Sequence, residues 1–206
     1  MYKLYESINS GSSAVEAALE EVGAAYETVL TRTSEKKHLT EEYRAINPRQ
    51  QVPALVLPDG TIMTEGAAMM LHLADAFPNA GLAPKPGSSA RAQHDRWLIF
   101  MAVNIYEGEL RKTYPARYSD DPAGGDLVFS NATAYVNRHY LILEEAIGAG
   151  PYFFGDTLTM VDLYLWMLSY WIDGEWLKAN CPKVVALVEQ VRARPKVVPV
   201  HNKHFT

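Results

Sequence analysis

The sequence predicts two architectures in tandem: a mixed α/β module of order βαβ, helix, ββα over residues 1–77, then an all-helical domain over residues 89–206. Three observations carry this. Short runs of β-forming residues are interleaved with amphipathic helical patterns in the first third. Residues 78–88 gather prolines and glycines, the composition of a linker. Beyond them the apolar residues recur at helical spacing and no strand pattern returns.

Lys3-Leu4-Tyr5 is a short strand, followed by a Ser/Gly/Asn-rich turn at residues 7–13. Val15, Ala18, Leu19 and Val22 then share one helical face, and Gly23 is placed to end that helix. Tyr26–Leu30 is a second strand. Strand, helix and strand in so short a span form a βαβ unit, which implies a parallel pair with a right-handed crossover. The polar stretch Thr31–Arg44 includes a short helix. Ala54–Leu57 and Thr61–Met63 are strands joined by Pro58-Asp59-Gly60, a hairpin turn. A helix from Glu65 to Ala76 presents Ala67, Met70, Leu71 and Ala74 to the core. In the helical domain, four stripes stand out: Trp97, Phe100, Met101, Asn104 and Ile105; Val136, Tyr140, Leu143 and Ile147; Val161, Leu165, Leu168 and Ile172; Val184, Leu187, Val188 and Val191.

The totals narrow the function. The chain has 206 residues, 48% hydrophobic and 21% charged, with a net charge of −5 and no basic block. Neither nucleic acid nor an anionic membrane is an expected partner. One cysteine, Cys181, leaves no internal disulfide and no multi-cysteine metal site, and suits a reducing cytoplasm. No charged stretch leads from Met1 into an apolar segment, so no signal peptide is expected.

One local feature is odd. Pro53 sits directly before Ala54-Leu55-Val56-Leu57, where a central strand wants a backbone N–H that proline lacks. Taken alone it is a trans proline at the start of an edge strand. It does not stand alone, however. NPRQQVPAL at 47–55, TEGAAMMLHLAD at 64–75, Gly155-Asp156 with Thr159-Met160-Val161-Asp162, and Ala193-Arg194-Pro195 occur in that order. Together these resemble the cytosolic glutathione transferase family: its Asn-Pro-x-x-x-Val-Pro-x-Leu segment, its glutamate-led third helix, its capping box and its late ARP element. Gln51-Val52-Pro53 and Glu65-Gly66 are most similar to the bacterial beta-like class, whose usual cysteine is absent here because Gly11 stands at its position.

The resemblance implies a thioredoxin-like first domain, glutathione as co-substrate without a metal, a small hydrophobic electrophile as second substrate, and a cytoplasmic homodimer. It implies that the Val52–Pro53 bond is cis, which turns the Val52 N–H and C=O outward to pair with glutathione's peptide-like backbone. Glu65 then takes the γ-glutamyl ammonium. The helix N–H groups that begin at Gly66 take the carboxylate. The bland alternative is that Thr64 caps this helix and Glu65 complements its dipole. Gln51 and one of Lys36, Lys37 or His38 are candidates for the glycine carboxylate, although a solvated face is the better reading of the Lys-Lys-His cluster.

The thiol must ionise to attack, and a free thiol with pKa near ~8.5 is mostly protonated at neutral pH. Ser10 matches the catalytic serine of theta-like and zeta-like relatives; Ser12 matches the serine after the beta-like cysteine; Tyr5 is a weaker candidate. Ser13 is expected to cap the helix. Asn9, Tyr106, Tyr114 and Trp166, with Tyr118 and Trp171, are candidate walls of the electrophile pocket, although such aromatics are more often core. Tyr106 aligns with a pocket histidine of beta-like relatives, and Asn104 is a candidate for a dimer interface. Isomerisation of a maleyl-type substrate, peroxide reduction, or a binding role with little turnover are the rival functions. Thr159 and Asp162 are structural, and so is Cys181.

Overall fold

The structure, a computed structural model, describes residues 1–121 and 123–206. It divides into two compact units, Met1–Pro84 with Val191–Thr206, and Lys85–Gln190. The sequence expectation placed one boundary near residue 78 and kept everything after 89 together. By contacts, Val191–Thr206 instead groups with the first unit.

The first unit opens β1 (Tyr2–Glu6), α1 (Ser12–Val22), β2 (Tyr26–Leu30), α2 (Glu41–Ile46), β3 (Ala54–Val56), β4 (Ile62–Met63) and α3 (Gly66–Ala76). Its sheet has the order β2-β1-β3-β4. β1 runs parallel to β2, with Tyr2 opposite Tyr26 and Glu6 opposite Leu30. β3 is antiparallel to β1, and β4 to β3. α1 is buried from Ser12 to Leu19. Gly23 ends it at φ 71°, the left-handed position that favours glycine, and the Ala24 N–H reaches back 3.0 Å to the Leu19 carbonyl. The polar stretch after β2 forms a 3₁₀ turn at Lys37–Leu39 and then α2, capped by Thr40. In α3 the buried residues are Ala67, Met69, Met70, Leu73 and Ala74. Leu71, expected in that stripe, is only half-buried, and Met69 and Leu73 are buried in addition to the stripe.

The second unit contains α4 (Ser89–Phe100), α5 (Glu107–Thr113), α6 (Gly124–Ala146), α7 (Met160–Leu168), α8 (Gly174–Asn180) and most of α9 (Pro182–Arg192). A π-helical segment, Met101–Tyr106, joins α4 to α5 without a break. The predicted stripes are the core: Met101, Ile105, Val136, Tyr140, Leu143, Val161, Leu165, Leu168 and Val184 are fully buried. α5 approaches α6 closely at Gly108, where a Cβ would lie 2.4 Å from Val136 Cγ2. The Thr159–Asp162 capping box opens α7, and Asp162 also accepts the Phe153 N–H at 2.7 Å. The last helix, α10 (Val197–Phe205), belongs to the first unit and packs on α1. Among the described residues, no helix is long and apolar enough to cross a membrane.

Candidate active site

Strand direction assembles the site. β1 ends at Glu6, so the Ser7–Gly11 turn leaves from that end of the sheet. β3 is antiparallel to β1, with Tyr5 opposite Ala54, so Val52–Pro53 arrives at the same end. β4 reverses again and delivers Thr64, Glu65 and the start of α3 there too. Three segments far apart in sequence thus meet at one end of the sheet, and they carry Ser10, Ser12, Gln51, Val52, Pro53, Glu65 and Gly66.

The Val52–Pro53 peptide is cis. The preceding loop is held by residues that were not singled out in the sequence. Tyr43 Oη and Asn47 Nδ2 each donate to the Gln51 carbonyl at 2.7 Å, and Asn47 Oδ1 accepts the Arg49 N–H at 3.0 Å. Asn47 heads the NPRQQVPAL motif, so its role was findable. Tyr43, a lone aromatic in a polar stretch, carries no such signal. Burial pushes the Tyr43 phenol well above its usual range, so it stays a donor at neutral pH.

Glu65, not Thr64, occupies the N-cap of α3, at φ 65° and ψ 99° without a capping hydrogen bond from its side chain. Positive φ is uncommon for a residue with a Cβ. The exposed Glu65 carboxylate accepts from Arg49 Nη1 at 2.6 Å. Arg49 is a further residue that the sequence did not flag. The first-turn N–H groups of α3, from Gly66 onward, have no intrahelical partner and form an anion-attracting end.

The serine turn is a closed hydrogen-bonded unit. Ser10 Oγ lies 2.7 Å from the Ser7 carbonyl and 2.7 Å from Ser12 Oγ. Ser12 Oγ also reaches the Ser7 carbonyl, at 3.1 Å, and accepts the Ser7 N–H at 3.3 Å. Ser7 Oγ in turn accepts the Thr33 N–H at 3.1 Å. Ser12 is fully buried, whereas Ser10 is only half-buried. The N-cap of α1 is Gly11, and no side chain caps it. Ser13 is therefore not the cap: it lies one residue inside the helix, and its hydroxyl donates to the Ser10 carbonyl at 3.0 Å. Asn9 is exposed at φ 50°. Tyr5 is half-buried, its ring 5.8 Å from that of Tyr43. Lys36 and Lys37 are exposed and His38 half-buried, consistent with a solvated face.

In the second unit the aromatic candidates part ways. Tyr106 is half-buried at the end of the π-helical segment, with the Trp171 ring edge-on at 5.1 Å. Tyr114 and Tyr118 are exposed, and the Arg117 guanidinium lies 3.9 Å over the Tyr114 ring. Trp166 is fully buried, so it is core and does not present a face to a ligand. Asn104 donates to the Phe100 carbonyl and accepts from Tyr135 Oη at 2.6 Å within its own unit. Cys181 is buried, and burial, with Glu144 nearby, pushes its thiol up to about 11. A thiol so protonated is inert at neutral pH.

Comparison with known proteins spans nearly the whole chain. A family model described as the N-terminal domain of glutathione S-transferase matches residues 12–76, and one for the C-terminal domain matches residues 120–202. An uncharacterized GST-like protein of Escherichia coli strain K12, YncG, is 32% identical, covering 99% of this chain and 98% of its own. The glutathione S-transferase GstA of Escherichia coli O157:H7 is 28% identical over 95% of this chain and 94% of its own. The crystal structure of a glutathione transferase homologue from Sulfitobacter, with bound glutathione, superposes with a TM-score of 0.91 at 29% identity, covering 100% of this chain and 99% of that one.

Proposed function

The chain belongs to the glutathione S-transferase family, and from that premise we propose that it ionises the thiol of glutathione and directs it at small hydrophobic electrophiles. The observation that carries the reading is the convergence at one end of the sheet of the cis Val52–Pro53 bond, the Ser10 turn and Glu65 at the start of α3. Glutathione is an anionic tripeptide that needs three things from a site: a partner for its cysteinyl backbone, a pair of charges for its γ-glutamyl head, and a donor for its thiolate. The Val52 N–H and C=O supply the first. Glu65 takes the ammonium on the carboxylate oxygen that Arg49 leaves, and the N–H groups from Gly66 onward take the carboxylate. Gln51, directly before Val52, is the partner for the glycine carboxylate in this reading.

Ser10 supplies the third. Two hydroxyls, those of Ser10 and Ser12, converge on one carbonyl, that of Ser7. When Ser12 donates to that carbonyl, the Ser10 O–H is free to donate a hydrogen bond to a thiolate and the Ser7 oxygen keeps a partner. Ser12, fully buried, is the stand-in donor; Ser10 is the catalytic residue. Lowering the thiol pKa by two units needs about 2.7 kcal/mol of preferential thiolate stabilisation. One charge-assisted hydrogen bond together with the N-terminus of α1 is of that size. Asn9, Tyr106 and Tyr114 remain the candidates to contact the electrophile. The cytoplasmic homodimer belongs to the same proposal.

Calorimetric titration with reduced glutathione tests the binding half. Binding is expected in the wild type and at least about tenfold weaker in Glu65→Ala. Turnover of a chromogenic aryl halide tests the chemical half. Ser10→Ala should lower kcat about ten- to a hundredfold, with a raised pKa for the bound thiol, and Ser12→Ala should lower it less. Tight binding without turnover in the wild type would favour the binding role instead.

A further inference from the structure

Glu6 is the last residue of β1, and Glu16 lies in the second turn of α1, so buried carboxylates flank the turn that carries Ser10 on both sides. They are 1% and 5% exposed. Buried together without cations they would repel one another and lose their hydration. Consecutive residues of the last helix answer both. Lys203 Nζ lies 2.7 Å from Glu6 Oε1 and 2.7 Å from Glu16 Oε1. His204 Nε2 lies 2.7 Å from Glu16 Oε2 and 3.4 Å from Glu6 Oε2.

α10 itself is well seated. Val197 and Val200 are buried, and just before it Arg194 forks onto Glu21 at 2.6 and 2.9 Å. Lys196 donates to the Glu21 carbonyl. Tyr26 on β2 also feels both carboxylates and donates to Glu20 on α1.

We infer that the last helix is a staple for the catalytic turn, with Lys203 and His204 as positioning residues that fix Ser10 by tying the end of β1 to the start of α1. The path is short. Ser10 Oγ is oriented by the Ser7 carbonyl, and Ser7 is held to Ser12 by bonds in both directions. The distance from Ser7 to Ser12 is therefore the distance from the end of β1 to the beginning of α1. Glu6 precedes Ser7 directly, and Glu16 lies one helical turn past Ser12. A cation shared between them sets that distance. The fixing of the turn stands by itself; its catalytic consequence rests on the reading of Ser10 above.

Lys203→Met keeps the stem and removes the charge, and Lys203→Arg restores it. Val184→Ala, a cavity in the second unit, serves as the destabilised control. Amide hydrogen exchange at Ser12 and Ser13, compared with amides of β3 and α3 in the same protein, reads the staple without any ligand. The expected result is about tenfold faster exchange at these amides in Lys203→Met, no selective change in Val184→Ala, and recovery in Lys203→Arg. His204→Gln, which keeps an N–H toward Glu16, should show a smaller selective rise and serves if Lys203→Met does not fold. With glutathione bound, Lys203→Met should raise the pKa of the bound thiol, followed by its ultraviolet absorbance, and lower kcat while KM for glutathione holds. Exchange at Ser12 and Ser13 that rises no more than elsewhere overturns the staple. A wild type that fails to bind glutathione overturns the reading of the site instead, and exchange still decides the staple.

Discussion

Asp162 shows how one side chain can be both well bonded and costly. Its carboxylate accepts the Thr159 N–H at 2.7 Å, the Thr159 hydroxyl at 2.8 Å and the Phe153 N–H at 2.7 Å. Burial still wins: the pKa is raised from 3.8 to about 6 against those bonds. Because the folded value is the higher one, the protonated form is favoured in the native state. The contribution of this group is fully present below pH 3.8 and is lost as pH rises through about 6. Asp162→Ala leaves buried donors without acceptors and should cost about 3 kcal/mol by urea denaturation at neutral pH. Glutathione affinity should be unchanged. A wild-type denaturation midpoint for that variant would remove Asp162 from the capping role. Ser10 and Ser12 show the opposite lesson: identical side chains, two positions apart, are separated by burial and by the Ser7 N–H that only Ser12 accepts.

Among the elements, α5 and α6 make the clearest packing statement. Gly108 in mid-helix forgoes about 1 kcal/mol of helix propensity relative to alanine. The structure supplies the reason, since a methyl there would sit 2.4 Å from Val136 Cγ2, a branched side chain that is itself fully buried. Gly108→Ala should therefore destabilise by about 1–2 kcal/mol despite its better propensity. Pairing it with Val136→Ala should recover part of the loss, a coupling that a double-mutant cycle measures. The π-helical segment between α4 and α5 is a second departure from regularity. It had no sequence signal, because Trp97, Phe100, Met101, Asn104 and Ile105 keep an apparently regular helical spacing through it.

At the scale of the molecule, stability against pH follows from the charges that tie the last helix to the first. Burial opposes ionisation of Glu6, yet the neighbouring His204 and Lys203 hold it down at about 2, below its ordinary 4.5. Burial likewise opposes the charge on His204, and Glu16 and Glu6 raise it above 6.5 all the same. The contribution of Glu6 is present above pH 4.5 and fades as pH falls toward 2; that of His204 is complete below pH 6.5 and fades as pH rises through its raised value. The cluster thus stabilises most between those limits. Urea midpoints should fall between about pH 5.5 and about pH 8.5 in the wild type, and His204→Gln should flatten that slope. An unchanged slope in the variant would exclude His204 as its source. None of this was legible in the chain. Lys203 and His204 look like ordinary charges in a terminal helix, and His204 meets Glu16 across 188 residues of sequence. What the sequence by itself determined was local or motif-borne: the βαβ unit, the hairpin at Pro58-Asp59-Gly60, the buried helical stripes and the Val52–Pro53 and Glu65 pieces of the candidate site. Side-chain period, turn chemistry and a family's fixed spacings are all written within a few residues. Only the tertiary structure decided that Trp166 is core, that Lys203 and His204 reach Glu6 and Glu16, and that the last helix joins the first unit. Those are outcomes of packing and desolvation between distant segments, which no local pattern encodes.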